Sequence, residues 1–163
     1  MTVGKTVAQR FVEGFGGNNP DILSDVLDDD VAFYGTLVWE LRGKNNLIDF
    51  AAQFQQAMPG LRIVLHDEFY SADGTRGNMR IHLHFHNTGE FMGHQPTGKQ
   101  GVSVESFSMV IKDDKITELI QSGNTFALGA IELIDFKMDY PTETPDPHKA
   151  IFVASENEIK VLP

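Results

Sequence analysis

Apolar residues recur at two different periods along this chain, and the change of period divides it. Val3, Val7, Phe11 and Phe15 fall at helical spacing, and Gly16-Gly17-Asn18-Asn19-Pro20 stops the helix they define. After Pro20-Asp21, the residues Ile22, Leu23, Val26 and Leu27 predict a short second helix. Asp28-Asp29-Asp30 turns into a strand, Val31–Tyr34, and Gly35-Thr36 reads as a hairpin turn into another, Leu37–Leu41. Arg42-Gly43-Lys44-Asn45 introduces a third helix, Asn46–Met58, whose Leu47, Phe50, Ala51, Phe54 and Met58 form one stripe. Pro59-Gly60 ends it.

Beyond Gly60 the pattern is β. Leu61–Tyr70, Asn78–Asn87, Gln100–Lys112 and Lys115–Gly123 predict four long strands, with turns at 72–76 and at Asp113-Asp114. Short polar turns imply antiparallel neighbours in a meander. The longest break is a glycine-rich loop at 88–99, Thr88-Gly89-Glu90-Phe91-Met92-Gly93 and Pro96-Thr97-Gly98-Lys99. Glycine permits tight bends and proline forbids continued pairing, so an aromatic among them predicts a loop folded back over an apolar surface. Phe126–Ile134 reads as a last helix, 139–149 as a proline-containing linker, and Ala150–Leu162 as an edge strand or a segment packed on a partner. The domain expected is 1–138, with 139–163 as a C-terminal extension. Helices followed by an antiparallel sheet make an α+β arrangement, and a strongly twisted sheet can curl into a cone with a cavity.

Composition narrows the function. The chain carries 23 acids against 13 bases, a formal charge of −10, which disfavours nucleic acid and anionic membranes as partners. It contains no cysteine, which removes disulfides, thiolate nucleophiles and zinc–thiolate sites. No apolar run reaches the roughly 20 residues of a membrane helix, and the N-terminal stretch lacks a signal-peptide core. A cytoplasmic location is the expectation. There is no GxGxxG, Walker loop or GxSxG, so neither a nucleotide cofactor nor a serine nucleophile is indicated.

Three groups of residues offer chemistry. His82, His84 and His86 alternate along one predicted strand and share a face, opposite Met79, Ile81, Leu83 and Phe85. Facing a cavity they are general-base candidates; otherwise they face a neighbouring strand, solvent or a subunit interface. His84, His86 and Glu90 also fit HxHxxxE, which resembles the first metal motif of cupins, although Gly101 stands where the second motif needs histidine. Glu105 and Glu118 lie within strands.

The run from His86 to Lys99, with Asp113-Asp114-Lys115-Ile116-Thr117-Glu118, resembles the SnoaL-like polyketide and ester cyclases. Their usual patterns are close to HTGEFMGxPPTGK and DGKIxExWxxxD. LDDDVAFYG and LRGKNNLIDFAAQFQQAMPGLRI resemble the family's N-terminal half. The resemblance implies an NTF2-like conical α+β barrel, with helices packed on a strongly curved antiparallel sheet. It implies a homodimer, no cofactor and a small apolar oxygenated ligand. Tyr34, Trp39, Phe54, Met58 and Ile120 are then candidate ligand contacts. The family's tryptophan position is held by Ile120 and its catalytic aspartate position by Asn124. An amide polarises an oxygen but does not carry a proton as a carboxylate does, so His82, His84 and His86 join Asn124 as catalytic candidates. The functions implied are a cofactor-independent cyclase, isomerase or hydrolase working by acid–base chemistry, or a non-catalytic binding or assembly module on the same fold.

Overall fold

In the computed structural model, residues 4–35, 40–123, 152–155 and 158–160 are described. Helix α1 (Val7–Gly16) begins at a reciprocal cap. The Gln9 amide donates to Thr6 Oγ1 at 3.2 Å, and the Thr6 amide donates to Gln9 Oε1 at 3.4 Å. Helix α2 (Pro20–Val26) starts on Asn19, whose Oδ1 accepts from the Ile22 amide, and Pro20 costs it no bond at the first position. Helix α3 (Lys44–Ala57) presents Leu47, Ala51 and Phe54 inward. These helices bury their apolar stripes on the concave face of one sheet.

The strands are β1 (Leu27–Tyr34), β2 (Leu41–Arg42), β3 (Arg62–Tyr70), β4 (Arg76–His86), β5 (Gln100–Lys112), β6 (Lys115–Gly123), β7 (Phe152–Ser155) and β8 (Glu158–Lys160). They form a single sheet in the order β2-β1-β6-β5-β4-β3-β7-β8. The long strands β3 to β6 pair antiparallel, within a residue or two of the spans predicted. The sheet is not wholly antiparallel, however: β1 lies parallel to β6. The chain reaches that geometry because everything between β1 and β6 intervenes as one long crossover. Of the short strand expected at Leu37–Leu41, residues 37–39 lie outside the described residues, and Leu41–Arg42 is strand. Strand β7 pairs with the free edge of β3, and β8 with β7. The helix expected at 126–134 and the linker at 139–149 lie outside the described residues. Among the described residues no helix is long and apolar enough to cross a membrane.

Candidate functional site

Period-two alternation on the sheet decides which side chains reach the concave face, and directly paired residues share a face. Ile63 pairs with Leu83, Ile81 with Glu105, Phe107 with Gln121, and Glu105 with Gly123. Ile63, Ile81, Leu83 and Phe107 form the sheet wall of a cavity. Helix α1 closes it with Phe11, Val12 and Phe15, α3 with Leu47, Phe50 and Phe54, and β1 with Phe33. The polar side chain in its wall is Gln121. The space open to the centre of a water molecule is about 40 Å³, enough for roughly three waters, so a ring-sized occupant enters only as the phenylalanine side chains turn aside.

Beside this wall stands a buried carboxylate. Glu105 is 1% exposed. The Ser103 hydroxyl donates to its Oε1, and Gln121 Nε2 donates to its Oε2 at 3.1 Å. Burial raises the Glu105 pKa above the ordinary 4.5, and the bonds from Ser103 and Gln121 pull it partly back. Gly123 is what makes room for this carboxylate. A Cβ there would lie 1.7 Å from Glu105 Oε2.

The loop that carries the sequence's most distinctive motif packs behind the Phe50 and Phe54 wall of the cavity. Asn87 is its clasp. Its Nδ2 donates to the carbonyls of Ala57 and Gly89, and its Oδ1 accepts from the amide and hydroxyl of Thr97. Gly89 passes so close to the end of α3 that a Cβ would stand 2.2 Å from the Gln56 carbonyl. Phe91 is thereby delivered, buried, edge-on to Phe54 and Phe50 at centroid distances of 5.5 and 6.0 Å. The apolar surface predicted beneath this loop is the aromatic end of the cavity.

The candidates from sequence divide by face. Phe54 lines the cavity, and Met58 is buried core just beyond α3. Tyr34 and Ile120 pair with each other and share the outer face, where Ile120 is 41% exposed, while their neighbours Phe33 and Gln121 face inward. A one-residue error along a strand exchanges the two faces. Of the two faces left open for His82, His84 and His86, they take the one away from the cavity, since they alternate with the cavity residues Ile81 and Leu83. There His82, 1% exposed, stacks on His66 with ring centroids 4.0 Å apart. His84 is half-buried, and burial, the neighbouring Arg62 charge and His66 lower its pKa from 6.5 to about 4. His86 is exposed. His84, His86 and Glu90 do not gather, and among the described residues no three His, Asp or Glu side chains converge as a metal requires. Trp39 and Asn124 lie outside the described residues.

Gln121, Phe33 and Gly123 were not singled out from sequence, and Glu105 was noted only as lying within a strand. A signal for Glu105 existed: Ser103 and Glu105 share the odd phase of β5 with Phe107, Met109 and Ile111, which is the core phase. Polar residues in a buried phase mark a built polar site.

The comparisons agree with this architecture. The family model for SnoaL-like polyketide cyclases matches residues 5–130, and the chain belongs to that family. A solved structure from Jannaschia sp. CCS1, described as a SnoaL-like polyketide cyclase, superposes with a TM-score of 0.68 at 17% identity. The match covers 78% of this chain and 90% of that one. A polyketide cyclase structure from Pseudomonas putida KT2440 gives 0.65 at 18% identity, covering 80% and 99%. A protein of ketosteroid isomerase-like fold from Catenulispora acidiphila, in complex with trimethylamine, gives 0.64 at 12%, covering 82% and 100%. At these identities the superpositions establish the fold, the conical NTF2-like α+β architecture. No curated protein matches the chain. Family and fold together support a small-molecule-binding or cyclase/isomerase role.

Proposed function

We propose that this chain is a small-molecule-binding protein of the SnoaL-like family. Its occupant is a small, largely apolar molecule with one polar group. The observation that carries this reading is the phenylalanine-walled cavity with Gln121 in its wall, backed by Glu105. Enclosed apolar space with a few convergent polar groups is the usual form of a small-molecule site. The histidines project from the opposite side of the sheet, which weakens the histidine-based proton-transfer reading. NMR titration with toluene tests the binding reading. Shifts centred on the rings of Phe11, Phe54 and Phe107 are expected; shifts confined to the exposed Phe69 surface would remove it.

One observation favours a catalytic second reading. A buried carboxylate of raised pKa can exchange a proton with a bound carbonyl compound without a cofactor. Glu105 would then be the proton carrier, in place of the aspartate found in the family's usual motif. The enzyme would accelerate α-proton exchange of cyclohexanone in D2O, and Glu105→Gln would lose on the order of a hundredfold of that acceleration. Equal exchange rates in both proteins would leave the binding reading alone.

The homodimer rests on the outer sheet face. Phe69, Asn78, Ser108 and Ile120 are cross-strand neighbours in one row, and Phe69 is 62% exposed at its end. We propose that a second copy covers this row.

A further inference from the structure

The cavity's polar pole has a definite sense. Gln121 Nε2 is committed to Glu105 Oε2, and an ionised carboxylate only accepts hydrogen bonds. The amide is therefore held with its Oε1 turned away from Glu105. That oxygen lies beside Gly35 and the Phe33 ring, 2.9 Å from where a Gly35 Cβ would stand. Among the described residues it accepts no hydrogen bond. What Gln121 offers a ligand is thus a lone pair, not an N–H.

Among the described residues, the charged side chain bonded to this amide is Glu105. Among the described residues, Glu105 is bonded by Ser103 and Gln121 and by no lysine, arginine or histidine. A buried carboxylate without a counter-charge is costly, and a cation supplied from outside removes that cost. Phe11, Phe15, Phe33, Phe50, Phe54 and Phe107 share the remaining wall with aliphatic side chains, and the faces of such rings attract cations. The chain's formal charge of −10 draws cations toward the molecule as a whole.

Resting on the binding reading above, we propose that the ligand of this cavity is a small ammonium compound, whose N–H donates to Gln121 Oε1 under the field of Glu105. The aliphatic part packs among Phe11, Phe15, Phe54 and Phe107. Glu105 acts as a positioning residue: it fixes the amide's orientation and supplies the counter-charge. Where Glu105 holds a proton before binding, that proton leaves to solvent water as the cation enters, so the pair formed is carboxylate and ammonium.

The test uses three molecules of one shape and different polar heads: cyclopentylamine, cyclopentanol and cyclopentanone. Affinities are measured by NMR titration of the whole chain near neutral pH. The amine is expected to bind at least about tenfold more tightly than the ketone, which can only accept, and more tightly than the neutral alcohol. Glu105→Gln lowers amine affinity by about tenfold and leaves the ketone equal or improved. Gln121→Met removes the acceptor and serves if the first variant fails to fold; it too abolishes the preference for the amine. Ketone binding equal to or tighter than amine binding, with shifts still at the cavity rings, overturns the ammonium assignment while the cavity stands as the site. Equal affinity for alcohol and amine overturns the role of charge. Absence of cavity shifts with all three overturns the binding reading itself.

Discussion

At the scale of single residues, Glu105 and His84 are perturbed in ways that give stability opposite slopes with pH. The Glu105 pKa is raised by burial, so the folded state holds its proton more tightly than the unfolded chain does. Its favourable contribution is complete below the ordinary 4.5 and is lost as pH rises through the folded value. His84 behaves inversely. Its folded pKa, about 4 against 6.5, contributes stability above 6.5 that is lost as pH falls toward 4. Denaturant midpoints measured across this range should therefore separate the two groups by substitution. Glu105→Gln is expected to gain on the wild type as pH rises above the carboxylate range. His84→Gln is expected to flatten the fall between pH 6.5 and 4. Parallel pH profiles for wild type and both variants would show that neither group is perturbed by the fold.

At the scale of elements, the loop at 88–99 holds its shape through one side chain. Asn87 satisfies backbone groups at the end of α3 and at Thr97 together, and it is 1% exposed. Asn87→Ala removes the side-chain bonds to Thr97, Gly89 and Ala57, whose carbonyl still accepts from the Thr88 and Gly89 amides, at an expected cost of about 2 kcal/mol. The same substitution loosens Phe91 over Phe50 and Phe54. Urea unfolding measures the first effect and ring-proton NMR the second; a cost below about 1 kcal/mol would mean that the loop holds itself. The elements were largely legible in the sequence because each rests on local chemistry. The Asn19 cap, the Leu47–Phe54 stripe and the turn at Asp113-Asp114 act within a few residues. The faces of β1 and β6 were less legible. Irregularities between Leu27 and Ala32, and between Val110 and Ile111, shift the register, and nothing local announces them. Tyr34 and Ile120 were expected at the ligand from the family resemblance, and strand pairing places Phe33 and Gln121 on the cavity face instead. The site itself joins β5 and β6 through Glu105 and Gln121, a contact that only the sheet's pairing creates.

At the scale of the whole molecule, the sheet has two unlike surfaces. The concave one is filled by helices, and the outer one carries the row from Phe69 through Asn78 and Ser108 to Ile120. If a second copy covers that row, Phe69→Glu should convert a dimer to a monomer in light scattering at micromolar concentration while leaving the fold intact by circular dichroism. An unchanged mass would place any self-association elsewhere.

The parallel pairing of β1 with β6 also sets an order of events. Residues 27–34 cannot take their permanent neighbour until residues 115–123 exist, because the other side of β1 meets only the short β2. During synthesis the early helices and β1 must wait while the whole meander forms, with their apolar stripes uncovered. Closing so long a stretch of chain is slow compared with forming the hairpins inside it. Strand β6 is therefore both the seam that completes the barrel and the strand that carries Gln121, so the polar group of the cavity wall arrives only when folding is nearly finished.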